Sequence, residues 1–478
     1  MTTAYDAVVV GAGPNGLAAA IVLARRGLSV HVIEAADEVG GACRTAQLTL
    51  PGFHHDVGAS VLPFGASSRF FRDFPASRYG LELVHSPDPL AHPLDGQSAI
   101  MLARSVAATA AGLGTDELRY RRLFSAATRC EQPLLDQFLG PPRLPRHPLL
   151  VAAFGVPALL PAALLARTVF GDGRARALFA GLAAHSMLSL HSPASSSMGL
   201  VMAMVGHAVG WPVARGGAGR VSEALAAHLR DLGATIETGR RISALEELPP
   251  ARVRLLDLVP RDIERICAEA LPPRYRRSLL RYRHGPGVFK LDWALDGPIP
   301  WSDPSCARAA TVHLVGSFEE AVTSEAAVAA GHHAERPFVI LVQPSLFDSR
   351  RAPRGKHTAW AYCHVPNGSR RDMTVQIESQ VERFAPGFRD LVIGRHGLDT
   401  ADLESYDANL VGGDINAGMF SLGQIFTRPT ARMPPYTTPN PSVFICSAAT
   451  PPGGAVHGMC GWWAARAALR ALDRRSSA

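Results

Sequence analysis

The chain has few cysteines, and their pattern excludes several chemistries. Cys43, Cys130, Cys267, Cys306, Cys363, Cys446 and Cys460 number seven and are scattered, with no C-x-x-C pair among them. That argues against a disulfide framework, a zinc site and a redox-active disulfide, and it fits a reducing, cytoplasmic compartment. No H-E-x-x-H spacing points to a metal, and no Ser, His and Asp are arranged as a nucleophile elbow. No dense Lys/Arg run with interleaved aromatics occurs, and a formal charge of +7 over 478 residues is modest. Nucleic-acid binding therefore has no support. No basic segment or cleavage site precedes the first apolar run at Tyr5, so no secretory signal is visible. There is no tandem repeat. The nearest approach to a membrane span is Leu149–Ala166, which carries no charge. Pro157 and Pro161 would break a single helix there, so buried helices of a second domain are expected. A surface resting on lipid, or admitting a lipid-like substrate, is the other reading of the same stretch.

What is present is a globular composition: 47% hydrophobic and 19% charged residues, in a chain long enough for two interleaved domains. Tyr5–Val10 is a continuous apolar run suited to a buried parallel strand. Gly11-Ala12-Gly13-Pro14-Asn15-Gly16 follows, then apolar residues at helical spacing to Gly27, then a second strand ending at Glu34. Strand, glycine loop, helix and strand form a βαβ unit, the context in which G-x-G-x-x-G carries meaning. The glycines allow a tight turn and a close backbone approach to a pyrophosphate, whose charge sits at the helix N-terminus. Glu34, 23 residues after Gly11, stands where an acid receives ribose hydroxyls and repels a 2′-phosphate.

Residues 104–190 are rich in Ala, Leu and Arg at helical spacing. Further strands are expected at 234–238, 253–258, 288–295, 311–315, 338–343, 357–365 and 442–448. The four from 288 to 365, read without helices between them, suggest an antiparallel or mixed sheet. A helix is expected over 459–472. No second nucleotide fold is found: Gly171-Asp172-Gly173 lacks a following acid, and Gly217-Ala218-Gly219 continues into Ser222.

After Glu34 the sequence runs Ala35-Ala36-Asp37-Glu38-Val39-Gly40-Gly41-Ala42-Cys43-Arg44-Thr45, then Gly52-Phe53-His54-His55-Asp56-Val57-Gly58. Here the chain resembles FAD-dependent amine oxidases and phytoene desaturases, in which a Gly-Gly…Arg stretch after the acid lies against the FAD pyrophosphate. The resemblance extends to Phe444–Met459, with Pro451-Pro452-Gly453-Gly454-Ala455-Val456-His457-Gly458 as a C-terminal FAD stretch, and to Gly412–Asn416, His364–Gly368 and Phe289–Pro298. It covers nearly the whole chain and is silent on substrate. It implies FAD held by Gly11, Gly13, Pro14, Asn15, Gly16, Glu34, Ala35, Gly40, Gly41, Arg44, Gly58, Gly453, Gly454, His457 and Gly458. Ile242 either meets adenine through its backbone or is a plain strand residue. About ten residues separate Ile242 from Val253, too few for the β-meander that many flavoproteins of this fold carry there.

Two residues are candidates for catalysis. His457 lies by resemblance at the isoalloxazine, where a protonated ring would add to the field of the helix N-terminus that follows. Lys290 either reaches flavin or, the reading favoured here, pairs structurally with Asp292 on the same strand face. No metal is expected.

The expected fold is α/β. A Rossmann-like FAD domain of the glutathione-reductase type is assembled from residues 1–95, 206–262 and 406–478. A substrate domain is built from a helical segment, 96–205, and a mixed sheet, 263–405. The expected activity is FAD-dependent hydride removal from an apolar isoprenoid-, lipid- or polyketide-like substrate, by a desaturase, dehydrogenase or oxidase. Oxygen or a quinone is the expected acceptor, and peripheral membrane contact is expected near 149–166. A redox-neutral flavin isomerase and a non-enzymatic lipid-binding chaperone on a related fold are the competing readings.

Overall fold

The computed structural model describes residues 4–476, so Met1–Thr3, Ser477 and Ala478 lie outside the description. Two sheets organise it. The smaller has five strands in the order Val443–Ile445, Ala251–Leu256, Tyr5–Val10, Val30–Ile33, Thr235–Glu237, and every pairing is parallel. Its strands come from three separated stretches of sequence. Their near-continuous apolar character is what burial on both faces demands. The helix Pro14–Ala24 covers one face, with Gly219–Asp231 and the C-terminal helix Met459–Ser476 packed against it. The contact between the first and last helices is close enough that a Cβ on Gly461 would lie 1.9 Å from the Asn15 carbonyl oxygen.

The larger sheet has seven strands in the order Val392–Leu398, Gly287–Leu295, His357–Val365, Val339–Val342, Ala309–Leu314, Asp88–Leu94, Gln97–Leu102. It is mixed: Ala309–Leu314 pairs parallel with Asp88–Leu94, and the other neighbours are antiparallel. Helices between 106 and 208 lie over one face and form a single large core with the first helix.

Three expectations are corrected. The strands after residue 287 are not free of helices, because Phe318–Ala329 and Thr374–Phe384 interrupt them. Their apolar positions bury against the sheet, which masks the helical period in a segment flanked by strands. The boundary drawn after 95 falls earlier, since Asp88–Leu94 already belongs to the large sheet. The boundary drawn after 262 falls later, because Ile263, Ile266, Leu271 and Leu279 share a core with Val8, Ile33 and Ile445 of the small sheet. Between Ile242 and Ala251 there is one short 3-10 turn, Leu245–Glu247, and no meander.

The uncharged stretch is two helices, Pro148–Ala158 and Ala162–Val169, bent by 105° where Pro161 opens the second. Among the described residues no single helix is long and apolar enough to cross a membrane. The second helix buries Ala162, Ala163, Leu165 and Ala166; the first buries Phe154 and leaves Leu149 and Val156 exposed.

Candidate functional site

A continuous cavity of about 1030 Å³ runs between the two sheets. One end is built from backbone. Gly11, Gly13, Pro14 and Asn15 line it where the first strand turns into the first helix. A Cβ on Gly16 would lie 2.0 Å from the Gly11 carbonyl oxygen, so the loop closes on itself only with glycine there. Glu34 accepts from Ala12 N–H at 2.6 Å and Ala36 N–H at 2.9 Å, which fixes its carboxylate at the loop. Ala35, Gly41, Arg44, Gly58 and Ile242 continue the lining.

Arg44 is held by Tyr406, donating to the phenol at 2.9 Å and to the backbone oxygen at 2.9 Å, with its guanidinium 4.0 Å from the ring centroid. Two carboxyls face the same end, Asp257 buried and Asp407 half-buried. Asp257 accepts from Gly16 N–H at 2.7 Å, and burial pushes it up to about 8, with Asp407 and Glu34 adding to the rise. Burial raises Asp407 as well.

Four of the expected cofactor residues do not face the cavity. Gly16, Gly40, Gly453 and Gly458 stand one layer behind it, where neighbouring atoms leave no room for a side chain. A Cβ on Gly40 would meet the Cys43 oxygen at 2.8 Å, one on Gly453 would meet Arg428 Nη1 at 2.9 Å, and one on Gly458 would meet Phe70 at 2.5 Å. They shape the turns whose other residues do the lining.

The cavity continues past Ser447–Ala449 and the turn at Pro451-Pro452, where Gly454 and His457 line it. His457 is 1% exposed. Its Nδ1 accepts from Met459 N–H at 3.0 Å, which leaves Nε2 to donate to the Gly453 oxygen at 3.1 Å. Burial lowers the ring to about 4, so it is neutral, and it caps the C-terminal helix. Arg428, which is 2% exposed, lines the same stretch and brings a guanidinium to it. Arg428 donates to Ala448 O at 2.9 Å, Ala449 O at 3.3 Å, Ala417 O at 3.3 Å and the Tyr282 phenol at 2.8 Å. Its Nη1 has no partner among the described residues.

The far wall is the large sheet. Lys290 lines it, bonded to the fully buried Asp292 and 5.1 Å from the Trp360 ring centroid. Burial raises Asp292, and Lys290 opposes that rise. His55 Nδ1 lies 3.5 Å from the other Asp292 oxygen. Lys290 is thus both an ion-pair member and a cavity residue. Sequence reasoning missed Asp257, Tyr406, Arg428, Tyr362 and His185. Only Asp257 had a signal: it follows a parallel strand at its C-terminal end, where ligands of open α/β sheets gather.

A family model described as an NAD(P)-binding Rossmann-like domain matches residues 9–74. Over 98% of its length the chain is 27% identical to pyridine nucleotide-disulfide oxidoreductase domain-containing protein 2 of Rattus norvegicus, covering 94% of that protein. It is 28% identical to phytoene dehydrogenase of Streptomyces griseus over 75% of this chain and 73% of the relative. Among solved structures, putrescine oxidase bound to putrescine superposes with a TM-score of 0.62 at 18% identity, over all of both chains. The two-sheet architecture and these relatives agree: over nearly its whole length the chain is similar to oxidoreductases, phytoene dehydrogenase among them, and it shares its fold with putrescine oxidase.

Proposed function

We propose that the chain is an FAD-dependent oxidoreductase that removes hydride from an apolar organic molecule. The observation carrying this reading is the continuity of one cavity from the Gly11–Gly16 loop, past Arg44, to the Gly454–His457 turn and on to an apolar chamber. A nucleotide ending near Glu34 would place its far end at that turn, next to the chamber. Gly11, Gly13, Glu34, Gly41 and Arg44 would hold the adenosine and pyrophosphate. Gly454 and the capped helix would hold the ring end. Bound flavin supplies the hydride acceptor.

The protein's own share is orientation and exclusion of water. The chamber is lined by Val151, Phe154, Met198, Met202 and Trp211. Lys290 carries its charge into the wall already paired with Asp292, and Arg428 places an unshared N–H at the turn. At the other end Val156, Leu159 and Phe426 line the cavity while exposed to solvent, and Leu144 and Leu149 stand exposed beside them. Such a rim, with Arg143 and Arg146 near it, suits delivery of substrate from an anionic lipid surface. Flotation with anionic liposomes should weaken in an Arg143/Arg146 double-alanine variant; a wild type that never floats removes the lipid half of the reading.

The cofactor assignment is tested by heat release of the bound nucleotide and mass spectrometry. FAD at close to one per chain is expected. FMN or NAD in its place would overturn the assignment. Anaerobic addition of NADPH should leave the flavin oxidised for many minutes, because one nucleotide fold serves FAD and no second is present among the described residues.

A further inference from the structure

Strand register brings a row of polar side chains to the inner wall of the chamber. Across the large sheet Lys290 pairs with Tyr362, Tyr362 with Ile340, and Ile340 with His313. One step along, Asp292 pairs with Trp360, Trp360 with Val342, and Val342 with Thr311. Neighbouring strands are about 4.8 Å apart, so the row spans about 14 Å of one face. Lys290, Tyr362, Trp360 and Thr311 all line the cavity. His185, the C-cap of the helix Gly173–Ala184, lines it too, with Nε2 2.9 Å from His313 Nε2. A glycine makes the room: a Cβ on Gly181 would lie 2.7 Å from His313 Nδ1.

Several of these groups have nothing to bond. Thr311 Oγ1 and Trp360 Nε1 are buried without a partner among the described residues, on side chains 1% and 5% exposed. No hydrogen bond to the Tyr362 phenol occurs among the described residues. A buried polar group left unsatisfied costs about 1–3 kcal/mol, and two of them beside the unbonded phenol of half-buried Tyr362 call for a partner. The wall carries no net charge to offer. Lys290 is neutralised by Asp292, and burial, with His364 nearby, lowers His185 to about 3. With Asp292 engaged, the row holds no free carboxylate for an ammonium group.

We propose that Tyr362, Thr311 and His185 form a subsite for an uncharged oxygen, a hydroxyl or carbonyl, so that the substrate is an oxygenated apolar molecule and not a plain hydrocarbon. The inference deepens the oxidoreductase reading but concerns binding, and so can be tested apart from it. The competing ligand chemistry is a carboxylate held by Arg428.

The test is equilibrium binding of 1-dodecanol, dodecane and dodecanoate, each delivered from cyclodextrin to the protein as purified and read by tryptophan fluorescence, since Trp211 and Trp360 line the cavity. The alcohol should bind about tenfold more tightly than the alkane, which is about 1.4 kcal/mol. Tyr362→Phe and Thr311→Val preserve shape. Each should cut that preference by about threefold and leave alkane binding unchanged, while His185→Gln, which keeps a donor, should retain it. Equal binding of alcohol and alkane overturns the proposal. So does a preference that survives both variants, or a dodecanoate that binds tightest and is lost in Arg428→Gln. Flavin content measured on the same samples separates the two readings: a colourless protein sinks the FAD assignment and leaves the alcohol-to-alkane ratio readable.

Discussion

The two ends of the cavity are built from different materials. At the nucleotide end backbone does the holding, and glycines are fixed by atoms that leave no space for a Cβ. At the chamber end side chains do the holding, and strand register decides which of them meet. The first kind of site is written in consecutive residues. The second is written in the pairing of strands that are far apart in sequence.

The sharpest way to probe this contrast is within the glycine loop itself. Gly16→Val would drive a side chain into the Gly11 carbonyl, so folded yield should collapse. Gly13 is different: its nearest foreign atom is Asp257 Oδ2 at 3.1 Å, and it lines the cavity. Gly13→Val should therefore fold with near-normal circular dichroism and retain less than about a tenth of the cofactor. Equal behaviour of the two variants would erase the distinction between a glycine that closes the loop and one that faces the ligand.

Next in size is a break in the chamber wall. Asp292→Ala leaves the Lys290 ammonium buried and unpaired, at an expected cost of about 3–5 kcal/mol in unfolding free energy. Lys290→Met with Asp292→Asn, which removes both charges, should recover most of that loss. Denaturant titration of the set measures it, and a mild Asp292→Ala effect would mean that the pair is dispensable.

Asp257 gives a pH signature to the nucleotide end. Its folded value of about 8 stands above the ordinary carboxyl range, so the folded state keeps a proton that the unfolded chain has released. Stability of the cofactor-free protein should then fall as pH rises from about 4 to 8, by up to about 1.4 kcal/mol per pH unit from this group. Asp257→Asn should flatten that slope. An identical pH profile in the variant would show that the proton resides elsewhere.

The smallest effect is expected at His457. Since the ring is a neutral cap, His457→Ala should lower unfolding free energy by about 1 kcal/mol and leave the flavin reduction potential unchanged. A potential that moves with this substitution would give the residue an electrostatic role at the ring.

The same contrast explains what could be read in advance. The βαβ start, Glu34 and Arg44 are local, so periodicity and spacing suffice, and the parallel sheet follows from them. His457 was noticed for its place in a motif, but its protonation state depends on Met459 N–H, the Gly453 oxygen and burial, none of which a linear pattern records. Tyr362 reads as one more aromatic in an alternating strand, and His185 as one of 18 histidines. They become a site only when the strands pair and the helix Gly173–Ala184 settles above them.

One consequence of the continuous cavity concerns the order of events in a catalytic cycle. The exposed cavity residues Val156, Leu159 and Phe426 belong to or adjoin the helices Pro148–Ala158 and Leu422–Thr427, so with the nucleotide end filled a long substrate entering there would leave as product by the same route. Product has to back out before an acceptor too bulky to slip past it can enter. A quinone would then compete with substrate for free enzyme and show mutual inhibition at high concentration, whereas oxygen would not, so steady-state kinetics alone can tell which kind of electron acceptor the molecule is built to meet.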